Sequence, residues 1–404
     1  MNLRSHLGNY LSNFGTIRFT LFALFLLLVA GSSSAAHGVT LVVSNSSRPC
    51  PGATFTTIQS AINAASPGDE IVICNGTYAE QLSITKSLDI EAHSGALLAP
   101  ASIPQNATSL ATGDPIAAAV LVSGATNVSI SGLTVDGINN GITGCAPRLI
   151  GVYFQNSSGA LRHAAIRNFK LSAALNGCQS GTGVFVESGS GQTSNVEIAE
   201  SSIHDYQKNG ITANESGTTA QIHDNVVTGI GPTTGAAQNG IQIGFSAAGS
   251  IRENTVANNV WSPCTAVATC QTVATDILVT QSDGVHVAGN TAGVSQVVIF
   301  VDGNNADVRG NTAYSASVFD NIRIQGNCSD VGENQVFNGG ESDIYIQGNN
   351  NSVRLNSITE APIGILEVMG STGNQFALNA FFNVTVHIQD PAATDLSKKI
   401  VPDR

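Results

Sequence analysis

Charged side chains are scarce in this chain: Asp, Glu, Lys and Arg make up only 11% of its 404 residues. That excludes coiled coils and helical bundles, whose surfaces lean on Glu/Lys-rich faces. Cations are scarcest, with Lys+Arg 16 against Asp+Glu 28, a net charge of -12 and no Lys/Arg cluster. A protein that grips a phosphate backbone is excluded on that ground. Aromatic residues are 5% of the chain, and no long apolar run follows residue 30. Common catalytic signatures (GxSxG, HExxH, the P-loop, GxGxxG) and the calcium-binding GGxGxD repeat are all missing. No CxxC occurs, and only His286 lies near Cys264 and Cys270, which argues against a zinc site. Apolar residues, in contrast, reach 42%, enough for a large core and too many for wholesale disorder.

The N-terminus carries an address. Arg4 and Arg18 precede the apolar run FTLFALFLLLVA (19–30), and the small residues GSSSAA follow. The run is shorter than the roughly 20 residues of a spanning helix. The pattern predicts a secretory signal over residues 1–36, cleaved after Ala36, the alternative being an uncleaved anchor. The expected location is secreted, extracellular or periplasmic, with no membrane contact beyond the signal. Export permits disulfides. Neighbouring cysteines suggest Cys50–Cys74, Cys145–Cys178 and Cys264–Cys270, leaving Cys328 over.

A repeat dominates what remains. The hexapeptide apolar-x-x-Asn-x-apolar recurs as IHDNVV (222–227), IRENTV (251–256), VAGNTA (287–292), VRGNTA (308–313), VGENQV (331–336), VRLNSI (353–358) and FALNAF (376–381). From Asn290 onward its asparagines step by 21, 23, 22 and 23 residues, and weaker copies precede at Ile130, Ile166 and Ile198. Between the asparagines lies a second element, among its copies GVFVE (183–187), GITAN (210–214), GIQIG (240–244), NIRIQ (321–325) and DIYIQ (343–347). Alternation of apolar and polar residues over such short runs means strands. A unit of that size cannot bury its own apolar face, but stacked copies can. The recurring Asn reads as structural, since Asn tolerates left-handed backbone at a bend and stacked amides bond from coil to coil. A short helix over residues 57–65 (TIQSAINAA) puts Ile58, Ala61, Ile62 and Ala65 on one face, suited to capping the open end of a stack.

The segment FTTIQSAINAASPGDEIVICNGTYAEQLSITKSLDI (55–90), followed by the Asn repeats, resembles secreted right-handed β-helix proteins of the pectin lyase-like superfamily. The resemblance covers about residues 38–390. It implies an all-β, single-domain right-handed parallel β-helix (solenoid) over 37–390, with a short N-terminal capping α-helix and a C-terminal tail at 391–404. It also points to a secreted carbohydrate-interacting protein, a polysaccharide lyase or epimerase acting on uronate-containing glycans. The alternative is a non-catalytic cell-envelope or extracellular binding rod. The partner expected is an acidic polysaccharide, and the chain is expected to be a monomer that does not bind nucleic acid.

Two clusters are candidate sites. One is the column of outward residues on the stacked second-element strands, in phase Phe185, Thr212, Gln242, Leu278, Phe300, Arg323, Tyr345, Glu367 and His387. Arg323, Tyr345 and Glu367 there suit recognition of a sugar acid. Asp276, Asp302 and Asp343 beside that column are candidate ligands for a bridging Ca²⁺. The other cluster is HDYQKNG (204–210) with QNGIQ on the next coil. β-Elimination needs the carboxylate neutralised, a base and an acid. Lys208, Tyr206, His204 and Asp205 are candidates for those roles, with Gln238, Asn239 and Gln242 as substrate contacts.

Overall fold

Short β-branched strands that alternate inward and outward dictate the architecture. In Thr218–His223, Ala220 and Ile222 are buried while Thr219, Gln221 and His223 are partly exposed. The same alternation returns once per coil on each of three faces. A computed structural model describes residues 38–389 apart from 47–49 and 190, together with the strand Val401–Pro402. The predicted signal over 1–36 and most of the predicted tail lie outside the described residues.

Three long sheets, parallel throughout except for one two-residue strand, run the length of the molecule. Sheet A has 14 strands and sheet B 12, and sheet C has 13 counting that short antiparallel strand, Ala107–Thr108. Each coil contributes one strand to each sheet and then continues into the next coil, which is a parallel β-helix wound right-handed, as parallel crossovers are. The hexapeptide spans the corner between sheets A and B, and the second element forms sheet C. Lumen columns run unbroken down the stack. In sheet A one column reads Ile130, Leu161, Ile198, Ile222, Ile251, Val287, Val308, Val331 and Val353, all buried. Each such side chain contributes about 1.5–3 kcal/mol. Ile166 belongs to sheet B, paired with Ile203, so the sheet A copy in that coil is Leu161.

Corner asparagines fix the register. The backbone N–H and the side-chain amide of Asn225 both donate to Asn254 Oδ1 at 3.0 Å. Identical pairs of bonds link Asn254 to Asn290, then Asn311, Asn334, Asn356 and Asn379, all at 2.9–3.0 Å. The ladder begins on hydroxyls: Ala164 N–H donates to Ser201 Oγ, and Ser201 N–H to Asn225 Oδ1. The left-handed residue at this bend is not the Asn but the one before it: Asp224, Glu253, Gly289, Gly310, Glu333, Leu355 and Leu378 have φ between 55° and 67°. The asparagines are kept for their amides.

The N-terminal end is closed as expected. The helix Ile58–Ala64 is capped by Thr57, and both Glu80 carboxylate oxygens accept from its first N–H groups, at 2.7 and 2.8 Å. Its inner face buries Ile58, Ala61 and Ile62. The three expected disulfides form, and Cys328 is free and exposed. Among the described residues no helix is long and apolar enough to cross a membrane.

Replacing a mid-ladder amide orphans partners in two coils. Asn311→Ala is therefore expected to cost about 2–4 kcal/mol, read as a lowered denaturation midpoint. Asn379→Ala, at the end of the ladder, should cost clearly less.

Candidate functional site

Sheet C carries the outward column of candidate residues. Its register is Leu121, Tyr153, Phe185, Thr212, Gln242, Leu278, Phe300, Arg323, Tyr345 and Leu366. The last members differ from the expected phase: Glu367 pairs with Ile346 and His387 lies one residue ahead of Ile388, the partner of Ile365. Strand Ile363–Glu367 is apolar at both parities (Ile363, Ile365, Leu366), so alternation alone does not reveal which face is which. Glu367 instead accepts from the Asn374 amide at 2.9 Å, and His387 stacks on Phe381.

Two covers bury most of this face. Near the N-terminal end Ala107–Thr108 pairs with Pro115–Ser123, and the turn after it is anchored by the buried Glu187 carboxylate. That carboxylate accepts from Ser109 Oγ at 2.8 Å, from the N–H groups of Leu110 and Ala111, and from the Tyr153 phenol. Beneath lie Ile116, Leu121, Ile150, Tyr153 and Phe185, with the last two rings stacked. Further along, the loop holding Trp261 and Cys264–Cys270 packs over Leu278, Val297, Phe300 and Phe319. Neither cover follows from the repeat pattern, since both are insertions between its strands.

Between the covers the column turns polar. A narrow slot enclosing about 30 Å³ is lined by Arg148, Gln179, Thr182, Phe185, Lys208, Asn209, Thr212, Asn214 and Gln242. Its amides are pre-set. Asn209 Nδ2 donates to Thr212 Oγ1 at 2.8 Å and to Gln242 Oε1 at 3.1 Å, and Gln242 Nε2 donates to Asn214 Oδ1 at 3.0 Å. Behind them Asn239 donates to Asn209 and accepts from Thr275. The strands approach closely enough here that glycine is required: a Cβ on Gly210 would sit 2.5 Å from the Gly240 carbonyl oxygen and 2.5 Å from a Val227 methyl. Lys208 Nζ donates to Ala237 O at 3.0 Å. Arg148 is half-buried, and no hydrogen bond or ion pair engages its guanidinium among the described residues. Among the described residues no carboxylate lines the slot.

The structure separates the four residues expected to act together. HDYQKNG rounds the corner from sheet B to sheet C, so successive side chains leave in different directions. His204 Nδ1 meets Asp205 Oδ2 at 2.7 Å on the outer surface of sheet B, and Lys170 Nζ lies 3.2 Å from Asp205. Partial burial works to raise the Asp205 pKa, but hydrogen bonds from His204 and Lys170 hold it below the usual value. Tyr206 points into the lumen, fully buried, and donates to Asn259 Oδ1 at 2.6 Å. Burial, then the nearby Asp276, push its phenol well above 10. Of the four, only Lys208 reaches the slot. Gln242 is also there and Asn239 stands directly behind it, while Gln238 is a corner brace that donates to Tyr206 O and accepts from Ile230 N–H.

Arg323 and Tyr345 lie several coils away and are buried, the guanidinium 3.6 Å from the Tyr345 ring centroid and 5.2 Å from that of Phe319. Arg323 Nε donates to Asp320 Oδ2 at 2.7 Å, and Glu341 stands 3.6 Å from the same guanidinium. The arrangement ties adjacent coils together.

The three expected calcium ligands do not form one site. Asp276 accepts from the Asn259 amide at 2.8 Å, Asp302 from Thr280 Oγ1 at 2.9 Å, and Asp343 from Asn321 at 2.7 Å and Gly339 N–H at 2.9 Å. Each oxygen so engaged is already met by protein donors. Among the described residues no group of three or more His, Cys, Asp or Glu is placed to hold a metal. Burial raises Asp276 well above its normal pKa and Asp343 to about 7, so both favour the neutral form rather than the anion a cation needs.

No family model matches the sequence, and no curated protein matches it. Among solved structures, the chain is similar to DFA-IIIase from Arthrobacter chlorophenolicus A6, with 15% identity, a TM-score of 0.49 and coverage of 87% of each chain. It is also similar to a GH136 lacto-N-biosidase from Eubacterium ramulus, with 11% identity and a TM-score of 0.49 over 86% of this chain and 68% of that one. PfbA, a surface adhesin of Streptococcus pneumoniae, matches at 13% identity and a TM-score of 0.43 over 84% of this chain and 90% of that one. Likeness at this level transfers no residue role.

The raised carboxyl groups predict a pH dependence. Asp343 is pushed to about 7 by burial, partly offset by its Asn321 and Gly339 bonds, and Glu341 to about 7 by burial and the Asp320 charge. Their folded pKa values exceed the unfolded ones, so the stability they confer is full below about pH 4 and is lost as pH rises through about 7. Asp343→Asn should leave the melting temperature near wild type at or below about pH 4 and raise it above wild type at pH 8.

Proposed function

We propose that the protein binds an acidic polysaccharide through the slot on sheet C, using the solenoid as a rigid support. One observation carries the reading: no described residue bonds to the Arg148 guanidinium, in a slot whose described lining holds no carboxylate, on a chain of net charge -12. A surface that otherwise repels anions places the Arg148 cation at this spot. Arg pairs with a carboxylate in a two-pronged geometry that few other anions match as well. A space of about 30 Å³ admits a substituent rather than a sugar ring. The carboxylate of a uronate therefore enters the slot, while its ring lies across the mouth. The braced amides lose little freedom on binding, which favours affinity. Three disulfides fit an oxidising compartment, in keeping with an extracellular or periplasmic site of action. The resemblance of residues 55–90 to pectin lyase-like proteins points the same way.

A uronate lyase or epimerase is the second reading, favoured by Lys208 standing in the same slot as Arg148. Arg148 would neutralise the carboxylate and Lys208 would take the C5 proton. Tyr206, in the lumen, is excluded as the acid, so the leaving oxygen would need another donor.

Isothermal titration with acidic and neutral oligosaccharides separates these outcomes. Arg148→Ala should weaken binding of the acidic ligand by about tenfold or more, the value of one charge-assisted bond, and leave a neutral ligand nearly unaffected. Unchanged acidic binding would refute the proposed slot. Absorbance of an unsaturated uronate product, present in wild type and lost in Lys208→Ala, would establish elimination.

A further inference from the structure

The two ends of the solenoid are finished differently. At the N-terminal end the helix Ile58–Ala64 lays its apolar face on the first coil and turns Gln59, Ser60 and Asn63 outward. At the other end the last coil consists of the strands Gln375–Ala377, Ala380–Phe382 and Val386–Gln389, and among the described strands each pairs on one side only. Its lumen side chains lack the cover their equivalents have one coil earlier. Ile388 is 43% exposed where its partner Ile365 is 0%. Phe376 and Phe381 are partly exposed where their partners Val353 and Ile358 are at 0%. Phe382, Val386 and Leu378 extend the apolar rim.

Nothing that follows in the described chain closes this end. The next described strand, Val401–Pro402, pairs with Thr272–Val273, which belongs to the cover loop several coils back along the stack. The end is also electrically blank. From Gln375 to Gln389 there is no Asp, Glu, Lys or Arg, in a chain whose net charge is -12. Two acidic molecules repel each other over most of their surfaces but not here.

We infer that this terminal coil is the contact surface for a second copy of the chain, joined end to end about a two-fold axis. Three open strand edges offer backbone donors and acceptors to the same edges of the partner, and the apolar rim closes both lumens at once. Head-to-tail stacking is blocked by the helix at the opposite end, so the assembly stops at two. The dimer replaces the monomer expected from sequence.

The test is the mass of the purified full-length chain by light scattering across a micromolar concentration series, run with Phe382→Glu/Ile388→Glu and with Val226→Glu, an exposed side-wall control. The expected result is twice the chain mass for wild type and the control, and a single chain for the double variant with its strand circular dichroism retained. Hydrogen exchange covers the case in which the double variant misfolds. Wild-type amides in 375–389 should then exchange more slowly at high concentration than at low, with no such change elsewhere. A wild-type monomer, a dimer indifferent to the end substitutions with edge exchange independent of concentration, or a mass that grows without limit would overturn the inference.

Discussion

Parallel stacking in register is the constraint on which the rest depends. A coil of three short strands has no core of its own, and only alignment with the next coil turns its Ile and Val residues into a continuous lumen. The corner amides enforce that alignment locally. One Asn side chain binds the N–H and the amide of its equivalent in the neighbouring coil, so a slip of one residue at the corner would break two bonds and turn the hydrophobic set outward together. Register fixed at the corner then reaches sheet C through strands of only five or six residues. That is how Thr212, Gln242 and Asn209, from two coils, come to share one hydrogen-bond network.

The outer face of sheet C shows what the solenoid gains from decoration. A column that is largely aromatic and aliphatic would be an exposed apolar stripe, and two inserted segments turn it into a second, smaller core. Between them the column is polar, and Asn209, Thr212 and Gln242 are buried there in their own hydrogen-bond network. Glu187 is central to one of these covers, since a single buried carboxylate gathers a hydroxyl, two N–H groups and a phenol from two segments.

Much of the scaffold was legible because its signals are local and repeated. The hexapeptide announced a corner, the alternation announced strands, and Thr57 with the apolar face of residues 58–65 announced a cap. Neighbouring cysteines named the disulfides. What could not be read depends on direction at corners and on contacts between distant segments. Lys208 and Tyr206 are two residues apart, yet the chain turns between them, so one faces the outer slot and the other the lumen. Arg148 stands in no repeat or motif, and that no described residue pairs with it is visible only in the assembled neighbourhood. Arg323 and Tyr345 were correctly placed in one column, but the sequence carried no sign that they would be buried against Phe319 and Asp320.

The central claim is that the Arg148 guanidinium, which no described residue pairs, receives the carboxylate of an acidic sugar in the sheet C slot. A crystal structure with a short uronate oligosaccharide bound tests it most directly. The account predicts a carboxylate within hydrogen-bond distance of the Arg148 guanidinium, its ring spanning the mouth above Thr212 and Gln242. A saccharide bound only on sheet A or sheet B, with the slot filled by water alone, would contradict it.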